Sequence, residues 1–273
     1  MERRKSTSRG PAKAGAGKPK KRPPTDQATT ALGAVPEKRG LKSAPDKKTN
    51  DPAASGQREM RINVKTAKKR KLSSTLWLDR QLNDPYVSRA KAEGYRSRAA
   101  YKLKDLNDKF GLIRKGSRVV DLGSAPGGWL QAAVEAGATH VVGIDYLAMP
   151  HVTGAQHLEL DFLDEAAPGK LKALLEGEAD VVLSDMAAPT TGHKNTDHIR
   201  IIALADAALD FAIDVLAPGG AFVCKVFQGG AEGDLLARLK DNFAVVKHAK
   251  PKSSRQDSSE MYVVATGFRG GNT

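Results

Sequence analysis

The chain has 273 residues, 40% of them hydrophobic and 27% charged, with a formal net charge of +13. That length allows one or two domains with a sizeable core, and the positive balance points to a polyanionic partner. A lone cysteine, Cys224, excludes an intramolecular disulfide and fits a reducing compartment.

Residues 1–72 carry 21 Lys and Arg against 6 Asp and Glu, whereas residues 73–273 carry 23 against 25, so the positive excess belongs to the N-terminal segment. That segment has no aromatic residue and half of the chain's 14 prolines. It cannot bury enough apolar surface to offset its ordering entropy. A disordered basic tail, able to hold RNA through its phosphates, is expected there.

From Ser73 the composition turns apolar. A helix is expected through Arg89–Glu93, stopping at Gly94, and a second from an N-cap at Ser97 through Phe110, ended by Gly111. Next come strands over Arg118–Leu122, His140–Asp145, Gln156–Leu160, Ala179–Asp185 and Ala221–Phe227. Helices are expected over Gly128–Ala136, Asp197–Leu216 and Glu232–Asp241. Two final strands, Phe243–His248 and Met261–Thr266, follow with no helix between them. Such alternation predicts an α/β fold: a mostly parallel seven-stranded sheet with helices on both faces and one antiparallel edge strand. The domain plan is a tail over 1–72, a domain over 73–268 and a short tail over 269–273. Within the domain, residues 73–116 form an RNA-facing helical part and 117–268 the α/β core. No apolar run reaches the roughly 20 residues a membrane span needs, and no signal segment opens the chain. A soluble, cytoplasmic, monomeric protein with no membrane partner is expected.

Open α/β sheets bind ligands at the carboxyl ends of their strands. The first strand runs into Asp121-Leu-Gly-Ser-Ala-Pro-Gly-Gly-Trp129, whose glycines let the backbone turn tightly near a ligand. The spacing G-x-x-x-G-G is neither the dinucleotide pattern nor a P-loop. This disfavours a nucleotide-dependent oxidoreductase. An acidic residue before the first glycine suits the cationic end of S-adenosylmethionine. Asp145, ending the second strand, suits ribose hydroxyls, and Asp161, after the third, an adenine amino group. Together these point to a nucleoside-containing cofactor.

That loop, with Tyr95-Arg-Ser-Arg-Ala-Ala-Tyr-Lys-Leu103, Ser184-Asp-Met-Ala187, Phe222-Val-Cys-Lys-Val-Phe-Gln-Gly229 and Ser259-Glu-Met-Tyr-Val-Val-Ala-Thr-Gly267, resembles the FtsJ/RrmJ methyltransferases in motif and order over residues 73–268. The resemblance implies a Rossmann-like S-adenosyl-L-methionine-dependent methyltransferase fold. It also implies 2′-O-methylation of a uridine in large-subunit ribosomal RNA. The family's Lys-Asp-Lys-Glu tetrad falls on Lys102, Asp185, Lys225 and Glu260. Its cofactor positions fall on Gly127, Trp129, Asp145, Asp161 and Asp185. One departure stands out: Asp185-Met-Ala-Ala-Pro189 sets the proline one residue later than the family's Asp-Met-Ala-Pro.

Methylating a ribose hydroxyl requires the oxygen to be held near the methyl carbon and its proton removed. No metal is needed, since the leaving thioether is already activated, and the six histidines form no close ligand pair. Lysine is rarely buried unpaired, so Lys225, ending an apolar strand, is the expected general base, with Asp185 and Glu260 orienting the lysines. Trp129 is expected to pack beside the cofactor, and Cys224 to be a core residue facing away from Lys225. Arg89, Lys91, Arg96, Arg98, Lys102 and Lys104, with Lys247, Lys250, Lys252 and Arg255, are expected to form a basic rim contacting phosphates. A tRNA or mRNA-cap 2′-O-methyltransferase and a non-catalytic ribosome-assembly factor remain alternatives.

Overall fold

The computed structural model describes residues 62–63, 66, 71–189, 191–228 and 233–270. The tail expected over residues 1–72 lies outside the described residues but for Ile62, Asn63, Thr66, Lys71 and Leu72, as do residues 271–273 of the C-terminal one.

Three helices lead: α1 (Leu72–Leu82), α2 (Pro85–Glu93) and α3 (Ala99–Phe110). The start of α2 is written in its sequence. The Asp84 carboxylate accepts from Tyr86 N at 3.0 Å, Pro85 takes the first turn, and Gly94 closes the helix in the left-handed region. Ser97 is not a side-chain cap for α3: the N-cap residue is Arg98, no side chain caps the helix, and the Ser97 hydroxyl has no hydrogen-bond partner. Gly128 packs so closely that an added Cβ would come within 2.4 Å of Ser97 Oγ. The hydroxyl therefore serves a close helix contact, not a cap.

The core then alternates: β1 (Arg118–Leu122), α4 (Gly128–Glu135), β2 (His140–Asp145), β3 (Gln156–Glu159), α5 (Ala167–Leu175), β4 (Ala179–Ser184), α6 (Lys194–Val215), β5 (Leu216–Phe227), α7 (Gly233–Asn242), β6 (Phe243–Ala249) and β7 (Glu260–Phe268). The sheet has seven strands in the order β3-β2-β1-β4-β5-β7-β6. The edge pairing of β6 with β7 is antiparallel, as expected; the reversed strand is β7, which pairs antiparallel with β5 as well, and β6 forms the edge.

Helix α5 has no counterpart in the sequence expectation. Pro168 and Gly169 lie in its first turn, where proline is tolerated, and Leu171 and Leu175 are fully buried. Strand β5 begins five residues earlier than expected. Pro218-Gly219-Gly220 lies within it, beside a register shift against β4 between Ala179 and Val181.

Side chains alternate along each strand, so the sheet has two faces. Val120, Leu122, Val182, Phe222 and Cys224 pack against α5, α6 and α7. Val119, Val181, Leu183, Val223 and Tyr262 pack against α3 and α4. The helical part over 73–116 therefore shares one core with the sheet through Ala100, Leu103 and Leu106. Burying each such leucine is worth roughly 1.5–3 kcal/mol. Among the described residues no helix is long and apolar enough to cross a membrane.

Candidate active site

From β1 the chain builds outward to β2 and β3, then returns to add β4 on the other side. The carboxyl ends of β1 and β4 thus flank the topological switch point, where such sheets bind ligands. Asp185 N donates to Leu122 O at 3.2 Å and closes the backbone there.

Period-two alternation sends Asp121 (β1), Asp185 (just past β4) and Lys225 (β5) to the face covered by α3, and α3 supplies Lys102. Lys225 Nζ donates to the Asp185 carbonyl at 2.6 Å and lies 3.1 Å from Asp185 Oδ1. Lys102 Nζ donates to both Glu260 oxygens, at 3.2 and 3.1 Å. The two halves are joined by Tyr262. Its hydroxyl accepts from Lys102 Nζ at 3.3 Å and donates to Asp185 Oδ1 at 2.7 Å. All four residues assigned to the tetrad are therefore brought together, through a tyrosine that sequence reasoning missed. Its signal lay in the quoted motif. Tyr262 stands two residues after Glu260 on a strand, which puts both on one face, and it opens an apolar run with a hydroxyl that needs a partner.

Lys102, Lys225 and Tyr262 are buried, at 8, 7 and 0% exposure. Burial alone would raise the Asp185 carboxyl. The charges of Lys225 and Lys102 and the Tyr262 hydroxyl outweigh it, so Asp185 sits below the ordinary aspartate value. Burial, reinforced by the Asp185 and Glu260 charges, pushes the Tyr262 hydroxyl well above its usual range, so it stays a donor. Asp121 is fully buried with neither carboxylate oxygen hydrogen-bonded. Desolvation, and then the charges of Asp185 and Asp145, push its carboxyl well up.

Two cavities flank this cluster. The smaller, about 590 Å³, is lined by Gly123, Asp145, Asp161, Phe162, Asp185 and Met186, among others. At Gly123, φ is +83° and a Cβ would lie 2.9 Å from Met186, so only glycine fits. Asp145 Oδ2 accepts from Ala125 N at 3.0 Å and Oδ1 from Leu147 N at 2.9 Å, tying the glycine loop to the segment after β2. Each oxygen keeps a further lone pair for a ribose hydroxyl. Carboxylates at the ends of β2 and β3, with apolar Ile144, Phe162 and Leu204 between, suit a nucleoside. Gly127 and Trp129 do not line this cavity. Gly127, with φ +105°, starts α4, and Trp129 is buried, its indole nitrogen donating to Ala99 O at 2.8 Å and its ring 5.7 Å from that of Tyr262.

The larger cavity, about 1090 Å³, is a cleft lined by Lys102, Glu260, Arg98, Arg255 and Phe227, among others. Asp185 thus faces the first space, and Lys102 and Glu260 the second. Lys225 lines neither; it stands behind Asp185.

The basic rim is mostly spent internally. Arg96 donates to the carbonyls of Pro126, Pro150 and His151, pinning the glycine loop to the segment after β2. Arg98 and Arg255 share the buried carboxylate of Asp84, and Arg98 also holds the Ser253 carbonyl. Lys104 pairs with Glu135, Arg89 with Glu93, and Lys250 donates to the carbonyls of Gln256 and Ser258. Lys91, Lys247 and Lys252 stay exposed.

A sequence profile of the family described as FtsJ-like methyltransferase matches residues 95–268. The chain belongs to the FtsJ-like methyltransferase family. It is 58% identical over 238 residues to "Ribosomal RNA large subunit methyltransferase E" of Paramagnetospirillum magneticum, covering 85% of this chain and 98% of that one. The protein of the same name from Bradyrhizobium diazoefficiens is 60% identical over 217 residues, 78% of this chain and 95% of that one. A crystal structure of a ribosomal RNA methyltransferase from Plasmodium falciparum superposes with a TM-score of 0.58 at 30% identity, covering 65% of this chain and all of that one. The matched span of this FtsJ-like methyltransferase, residues 95–268, includes the positions assigned to the tetrad and to the cofactor.

Proposed function

We propose that this methyltransferase transfers the methyl group of S-adenosyl-L-methionine to the 2′-hydroxyl of a uridine in large-subunit ribosomal RNA, on the assembled subunit, acting as a cytoplasmic monomer. The observation that carries this reading is the continuous bonded chain Lys102–Tyr262–Asp185–Lys225 between a nucleoside-sized cavity and an open cleft. The names of the close relatives support the acceptor.

Asp145 and Asp161 would hold the ribose and adenine of the cofactor, with Asp185 facing its methionine end. When bound, the cofactor supplies an electrophilic methyl carbon whose thioether leaves without acid assistance. Lys225, which stands behind Asp185, accepts the ribose hydroxyl proton once the acceptor is seated against Asp185, and Asp185 stabilises the ammonium that results. Tyr262 keeps the Asp185 carboxylate turned toward both lysines. Glu260 holds Lys102 in the cleft, where its charge faces the acceptor.

The test is transfer from labelled S-adenosyl-L-methionine to undermethylated large subunits, with free RNA and tRNA alongside and the product mapped. Lys225→Ala is expected to lose about a hundredfold to ten-thousandfold in rate while binding the cofactor nearly as well. Label confined to tRNA would overturn the acceptor, and near-normal turnover of Lys225→Ala would remove it from the base role.

A further inference from the structure

The acceptor cleft extends past the tetrad to the end of β5. Phe227 closes that strand, two residues after Lys225 and across the ladder from Glu260. At the strand rise its Cα lies about 7 Å from that of Lys225, comparable with the reach of a nucleoside from its 2′-oxygen into its base. Phe227 is half-buried: it packs against the α6-side core and also lines the cleft. It is the only phenyl ring among the described residues of that lining. Next to it, Gln228 N donates to Ser259 O at 2.6 Å, fixing the backbone, while its exposed side chain faces the cleft. No hydrogen bond within the described structure engages that amide.

An apolar ring and a free amide at a nucleoside's distance from the proposed base match what a splayed-out pyrimidine needs. Bases removed from a helix are held by stacking on aromatic side chains and by hydrogen bonds to their edges. Uracil presents an N–H beside a carbonyl, and a primary amide offers the complementary acceptor and donor. We propose that Phe227 and Gln228 form the subsite for the target base, Phe227 as stacking platform and Gln228 as partner for the pyrimidine edge. This rests on the acceptor reading above.

The experiment compares Phe227→Ala, Phe227→Leu, Phe227→Trp and Gln228→Ala in the full chain. It measures kcat/KM on undermethylated large subunits, cofactor Kd and Tm. Phe227→Ala is expected to lose on the order of tenfold to a hundredfold in kcat/KM at unchanged cofactor Kd. Phe227→Trp should stay within a few-fold of wild type, and Phe227→Leu should resemble Ala. Leucine restoring activity as well as tryptophan would make the ring mere packing and overturn the stacking role. Should alanine unsettle the sheet, the Leu–Trp comparison at matched Tm carries the test. Gln228→Ala should lose about fivefold, and wild-type kcat/KM would remove it from the subsite. A wild-type protein inactive on every RNA would sink the acceptor reading itself, whichever way the variants rank.

Discussion

Replacing Tyr262 by Phe removes one oxygen from a fully buried residue and leaves its ring in place. The oxygen is a junction: it donates to Asp185 at 2.7 Å and accepts from Lys102 at 3.3 Å. A hydrogen bond to a charged group is worth roughly 1.5–3 kcal/mol. If the bond keeps Asp185 aligned in the transition state, Tyr262→Phe should lose about tenfold to a hundredfold in kcat/KM. Tm should fall by no more than roughly 5–10 °C, because the ring still packs against Trp129 and Asp185 keeps Lys225. The Tyr262 bond helps hold the Asp185 carboxyl below its ordinary value. Its loss moves that carboxyl up. The assay is methyl transfer to undermethylated subunits across pH, with cofactor Kd and Tm as controls. A variant within twofold of wild type would refute the junction role.

Asp84→Ala strands two guanidiniums that share one buried carboxylate. Breaking such a pair costs about 3–5 kcal/mol, so a fall in Tm of roughly 10 °C is expected. Arg89→Ala, removing a half-exposed helix pair, should cost under about 0.5 kcal/mol, and equal losses for the two variants would contradict this. Asp121 should set a pH dependence of stability. Its folded carboxyl lies well above the ordinary value of 3.8. As pH rises through that value the unfolded chain ionises first, and stability falls until the folded group ionises too. Without cofactor, Asp121→Asn should gain Tm over wild type increasingly from about pH 4 to pH 7, and parallel melting curves would rule this out. Burial pushes the Cys224 thiol up to about 12. The folded protein should resist a neutral alkylating reagent at about pH 8 and react once unfolded; fast labelling of the native chain would show that the sheet opens.

The strands were legible because apolar runs of β-branched residues, punctuated by glycine and aspartate, encode local structure. Asp121–Trp129 announced a ligand loop by the same local logic. The cofactor carboxylates Asp145 and Asp161 could be placed because strand ends converge at a switch point. The tetrad was available only as a set of positions, since Lys102 and Glu260 are 158 residues apart. Helix α5, with a proline and a glycine in its first turn, is held by the burial of Leu171 and Leu175, which local sequence does not announce.

Charge is where sequence and structure part most. Arg96 and Arg98 sit in a basic run and read as phosphate contacts, but a count of charges does not show what a guanidinium faces. Folding brings carbonyls of Pro126, Pro150 and His151 to Arg96, and the Asp84 carboxylate to Arg98. The sequence by itself determined the strands, most of the helices, the ligand loop and the reactive residue types, because those depend on local periodicity and backbone freedom. Only the tertiary structure decided that Tyr262 joins the two lysines and that most of the basic rim is internal. Hydrogen-bond partners depend on distances across the fold, which no spacing along the chain encodes.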